Sequence, residues 1–151
     1  CQYGEWQART ATPVYATEGK VGQPLFTLRS GDSVRATTGS VHVSRVGRVR
    51  IVGKVERGWA EFGEHKLPAP AVGDTVHLLS YAGEGHWEYW FRGLVGTGPE
   101  LWSEPTNAGT IPGELLGEPV SKWWVQVIDR RGRSGWLIVP PEGFGGYDAC
   151  G

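Results

Sequence analysis

The chain has 151 residues and a formal net charge of −1, which leaves no basic excess for a nucleic-acid or anionic-membrane partner. Its length suits one domain or two small ones, and no apolar run approaches the roughly 18–20 residues of a membrane-spanning helix. Eight Trp, 24 Gly and 10 Pro point to short strands, many turns and aromatic-rich cores.

Taken in order, the first nine residues are mixed and polar. Thr10–Ala16 has β character, restricted by Pro13 to an edge or a strand start. A loop over 18–24 leads to a short strand at 25–28 and a turn at Ser30-Gly31-Asp32. Ser33–Thr38 and Val41–Val46 read as paired strands around Gly39, and Arg48–Val52 follows after a turn at Gly47. The sum is an antiparallel meander with one face wet.

Leu67-Pro-Ala-Pro70 reads as a rigid connector and module boundary. Beyond it, Gly73-Asp74-Thr75-Val76 repeats Gly31-Asp32-Ser33-Val34, each a turn that launches a β-branched strand. Ser80–Arg92 reads as a hairpin turning at Gly83-Glu84-Gly85. Residues 93–117, rich in Gly and Pro, read as a long loop pinned by a few apolar residues, Trp102 among them. Lys122–Trp136 is the clearest hairpin. Trp123, Val125 and Val127 alternate with Trp124, Gln126 and Ile128, Asp129-Arg-Arg-Gly132 turns, and an apolar strand resumes at Gly135. Residues 141–151 trail off as a terminal segment.

The absence of Met and a first residue of Cys suggest a processed, exported chain. Cys1 and Cys150 read as a disulfide joining the termini in an oxidising compartment. Acylation of Cys1, as on a bacterial lipoprotein, is the alternative, and free thiols a third. Either leading reading places the chain in a secreted, periplasmic or cell-surface setting.

His42, His65, His77 and His86 lack metal-ligand spacing. No Ser or Cys has the setting of an activated nucleophile. Glu84, His86 and Glu88 read as a solvated hairpin, and no Gly-rich loop leads from a strand into a helix. The expectation is therefore a non-enzymatic chain without metal or cofactor. The aromatic residues remain. Trp87 and Tyr89 share a strand face opposite Trp90. One reading places the aromatics in the core and in a seam between modules. The other is an exposed groove for a peptide or glycan, lined by Tyr81, Trp87, Tyr89 and Trp123.

A Gly-Asp-x-Val strand, a Gly-Glu-Gly turn, Trp-Trp-Val-x-Val and Gly-Arg-x-Gly-Trp together resemble a bacterial Src-homology-3-like (SH3-like) domain. The resemblance covers Ala71–Val139, and more faintly Thr12–Val52. It implies an all-β fold of two small SH3-like β-barrels of about five strands each, packed or linked in tandem. The modules would span 10–66 and 71–140, the second carrying the long loop at 93–117. It further implies a binding module for a peptide, peptidoglycan or protein partner, with Trp123 at the groove position. Trp136 is assigned to packing. A structural subunit that assembles with itself or another subunit through aromatic surfaces and strand edges is the rival.

Overall fold

The structure is a computed structural model that describes residues 3–62, 65–103 and 111–146. Every regular element among them is a β-strand. In chain order these are β1 (Gly4–Ala8), β2 (Thr12–Val14), β3 (Phe26–Leu28), β4 (Ser33–Arg45), β5 (Gly47–Ile51), β6 (Glu61–Phe62) and β7 (His65–Lys66). They continue as β8 (Thr75–Gly83), β9 (His86–Phe91), β10 (Leu94–Pro99), β11 (Gly113–Gly117), β12 (Val120–Asp129), β13 (Ser134–Ile138) and β14 (Phe144–Gly145). Cys1 and Cys150, and with them the expected disulfide, lie outside the described residues.

Two compact units form, but not as consecutive modules. The described part of 3–42 and 122–146 makes one, and that of 43–121 makes the other. The chain leaves the first unit within β4 and returns to it within β12, so the second unit interrupts the first. This departs from the expected division into 10–66 and 71–140. The Leu67–Pro70 connector is not a boundary. Leu67 is buried in the second unit's core, Ala69 packs against that core, and the Trp59 indole N–H donates to the Pro68 carbonyl at 3.1 Å.

The first unit holds a five-stranded sheet in the order β13-β12-β4-β1-β14, beside the β2-β3 pair. Trp6, Val34, Val125, Val127, Leu137 and Phe144 are fully or almost fully buried in its core. The second unit holds a seven-stranded sheet, β11-β5-β8-β9-β10-β6-β7, over a core that includes Val49, Ile51, Val76, Leu78 and Tyr89.

The first five strands of that second sheet repeat the first unit's order, with β5 in the place of β1, β8 of β4, β9 of β12, β10 of β13 and β11 of β14. Register repeats as well. Trp6 faces Val34 and Gly4 faces Ala36 in one unit, while Val49 faces Val76 and Gly47 faces Leu78 in the other.

The turn that launches β4 and β8 explains the repeated Gly-Asp pair. Gly31 and Gly73 have φ of 92° and 95°, a left-handed conformation that costs side-chain-bearing residues about 1–2 kcal/mol. The carboxylates of Asp32 and Asp74 accept the amides of Arg29 (2.7 Å) and Ala71 (3.0 Å), closing the turn from within. Each glycine amide donates to the last residue of the strand that pairs with the one it launches, Gly31 to Ala8 of β1 and Gly73 to Ile51 of β5. That residue's own amide returns a bond to the aspartate carbonyl.

Other glycines serve space rather than turning. Gly39 sits inside the single strand β4, so the expected strand pair around it does not exist. A Cβ there would collide with the Trp124 carbonyl and lie 3.1 Å from Trp123 Nε1. Gly47 likewise begins β5, and β4 and β5 lie in different sheets. The expected loop at 93–117 contains β10 and β11. Its Gly96 and Gly98 are buried where Leu67, Glu61, Trp59 and Ala60 cross close above them. A Gly-rich stretch of this kind is a strand under close backbone approach.

Candidate functional site

Both expected hairpins are present and position the aromatics. In the second unit, β8 pairs with β9 and the chain turns through Gly83, Glu84 and Gly85, all with positive φ. Register shifts between Leu78 and Ser80. This irregularity places Tyr81 opposite Trp87 and leaves Ser80 opposite Glu88, whose carboxylate accepts the Ser80 hydroxyl at 2.6 Å.

Tyr81, Trp87 and Trp102 then form a row. Ring centroids are 5.2 Å apart between Tyr81 and Trp87 and 5.3 Å between Trp87 and Trp102, with interplanar angles of 68° and 61°. Such edge-to-face contacts hold each ring at a fixed tilt. Tyr81 is 38% exposed, while Trp87 and Trp102 are half-buried against the unit's core. The Gly85 amide donates to the Tyr81 hydroxyl at 3.0 Å, and the Trp87 indole N–H donates to Glu100 Oε2 at 3.3 Å. The row therefore offers tilted aromatic surface with a carboxylate at its side. Apolar faces and a few oriented polar groups are what an extended peptide or a sugar ring needs for recognition.

Of the residues expected to line a groove, Tyr81 and Trp87 come together here. Tyr89 does not join them as a contact surface. It is fully buried, its ring packs 4.9 Å from Trp59, and its hydroxyl donates to the Pro99 carbonyl at 2.7 Å. Burial, with the Glu100 charge nearby, pushes that hydroxyl above the ordinary tyrosine range. Trp90, on the opposite face, is 42% exposed and packs 5.0 Å from the His77 ring. Trp123 belongs to the first unit, half-buried with its ring 5.6 Å from the fully buried Trp6. Its neighbour Trp124 is buried beside Tyr15 and His42. Trp102 and Glu100 were not expected at the site, because they follow a Gly-rich strand that reads as loop. The lone Trp in that stretch was the one available signal.

The first unit brings Ser40, His42 and Glu18 together. Ser40 donates to Glu18, and His42 Nε2 lies 2.7 Å from Glu18 Oε1 and 3.1 Å from Ser40 Oγ. Both contacts use one ring nitrogen, whereas a nucleophilic relay needs the serine on one nitrogen and the acid on the other. The arrangement clasps the 18–19 turn onto β4. Hydrogen bonds from Ser40 and His42 hold the Glu18 carboxyl below its ordinary value.

Among the described residues, no group of three His, Cys, Asp or Glu side chains is placed to hold a metal ion, and no helix is long and apolar enough to cross a membrane. No protein-family model matches this chain, and no curated protein or solved structure matches it.

Proposed function

We propose that this chain is an exported, SH3-like binding module that recognises an extended peptide or cell-wall polymer through aromatic side chains of its second unit. The observation that carries the reading is the Tyr81–Trp87–Trp102 row, three rings in consecutive edge-to-face contact with one member open to solvent. The five-strand order common to the two units supports the SH3-like part of it. Glu100, beside Trp87, favours ligands that bring an N–H donor or a cation to the edge of the aromatic surface.

The test is binding to isolated peptidoglycan and to a panel of extended peptides, followed by tryptophan fluorescence. Tyr81→Ala and Trp102→Ala should each weaken binding by about tenfold or more, as truncation of a central aromatic contact does. Unchanged affinity in both, with folding intact, would sink the proposal.

A second reading, assembly with another copy of the chain, is favoured by one observation. Phe62 is 68% exposed and joins Leu94 and Val95 around a mostly apolar hollow of about 230 Å³, beside the short edge strand β7. Exposed apolar surface at a strand edge invites pairing. A concentration-independent monomer by light scattering would dispose of it.

A further inference from the structure

The first unit contains a cavity of about 460 Å³ between the β3–β4 turn and the β12–β13 turn, within the size range of small-ligand sites. Four arginines line it, Arg29, Arg130, Arg131 and Arg133, against two aspartates, Asp32 and Asp129. The lining therefore carries two positive charges in excess.

The carboxylates are already engaged by the chain's own turns. Asp32 accepts the Arg29 amide, and Asp129 accepts the amides of Arg131 and Arg133, each at 2.9 Å, and the Arg133 side chain at 2.7 Å. Partial burial pushes the Asp129 carboxyl up, but the bonds from Arg133 and Arg131 outweigh it and hold it below the ordinary carboxylate range.

Arg133 is engaged by Asp129, whereas the other three arginines are left available, and Arg133 and Arg130 are held in place. Arg133 lies 4.1 Å over the Phe26 ring, and Arg130 Nη2 donates to Ser33 Oγ at 3.0 Å. Among the described residues, no carboxylate pairs with Arg29, Arg130 or Arg131. Guanidinium groups fixed by stacking and hydrogen bonding lose less freedom when they bind, and their planar forks match the oxygens of a phosphoryl group.

We propose that this cavity is an oxyanion site for a small ligand bearing a phosphate monoester. Such a group carries about 1.5 to 2 negative charges at neutral pH, which matches the excess of the lining. A single carboxylate would leave half of it uncompensated.

The test is titration of the ¹⁵N-labelled chain with inorganic phosphate at low ionic strength, with succinate as comparator. Amide shifts should concentrate at 26–33 and 129–133. Arg29→Gln with Arg131→Gln should weaken phosphate binding by about tenfold or more. Both residues are exposed, and amide signals away from the cavity report whether the double variant keeps its fold. Should it not, Arg131→Gln alone is titrated in the same way. Shifts that fall elsewhere, an affinity indifferent to the substitutions, or tighter binding of succinate than of phosphate would each overturn the assignment.

Discussion

Gly98→Ala isolates the close strand approach that shapes the second unit. The backbone at Gly98 is not left-handed, so alanine meets no φ penalty there. The added methyl would, however, run into the Trp59 carbonyl, with Ala60 Cβ at 2.9 Å and Ala60 Cα at 3.0 Å. These are backbone or backbone-fixed atoms, and no flexible side chain can swing away. Overpacking typically costs about 1–3 kcal/mol where neighbours can adjust. With none able to, the expected loss is about 3 kcal/mol, at the upper end of that range. Gly117→Ala is the control, since its Cβ would have no atom within 4 Å. It should stay within about 0.5 kcal/mol of the parent. Urea unfolding followed by tryptophan fluorescence and amide spectra measures both. Should Gly98→Ala match Gly117→Ala, the crossing of Trp59–Ala60 over β10 is wrong.

Gly73→Ala has open space for its methyl but a φ of 95°, so it should lose about 1–2 kcal/mol through backbone strain alone, read from the same urea curves. Tyr89→Phe removes the hydrogen bond to Pro99 and should cost about 1 kcal/mol by the same measurement. Glu18 makes the acid limb of the first unit's stability testable. Its folded pKa lies below the ordinary 4.5, so its contribution is complete above that value and is lost as pH falls through the folded pKa. Glu18→Gln should flatten the pH dependence of stability in that window, and an unchanged acid limb would remove the clasp from consideration.

Local chemistry carried much of this fold into the sequence. Gly31-Asp32 and Gly73-Asp74 are readable because a left-handed φ and a short acceptor side chain are properties of single residues. The alternation that sets Trp87 and Tyr89 on one face of β9 and Trp90 on the other follows from strand periodicity, whereas the Tyr81–Trp87 pair depends on the register shifts within the hairpin. Glycines placed for space are a different matter. Gly39, Gly96 and Gly98 look like turn formers until the strand that crosses them is known, and that strand is distant in sequence. The same limit hid the nested connectivity, because β4 and β12 become neighbours across the whole of 46–119. It also hid Trp102, whose place beside Trp87 depends on β10 being a strand. Burial of Tyr89 removed it from the expected groove for a related reason, since the core partner Trp59 precedes it by thirty positions.

The interruption of β4 and β12 has a consequence for how the molecule can be rebuilt. Neighbouring strands lie about 4.8 Å apart, and Ser44 donates to the Val120 carbonyl at 3.1 Å, close to where the inserted segment begins and ends. Its ends are therefore adjacent, like the plug of a cassette. A segment with adjacent ends can be exchanged for a short turn, or for another compact module, without lengthening the path between the host strands. During synthesis, 43–121 is available to fold before the C-terminal strands of its host have been made, and once compact it tethers β4 to β12 far more tightly than an unfolded chain of that length would.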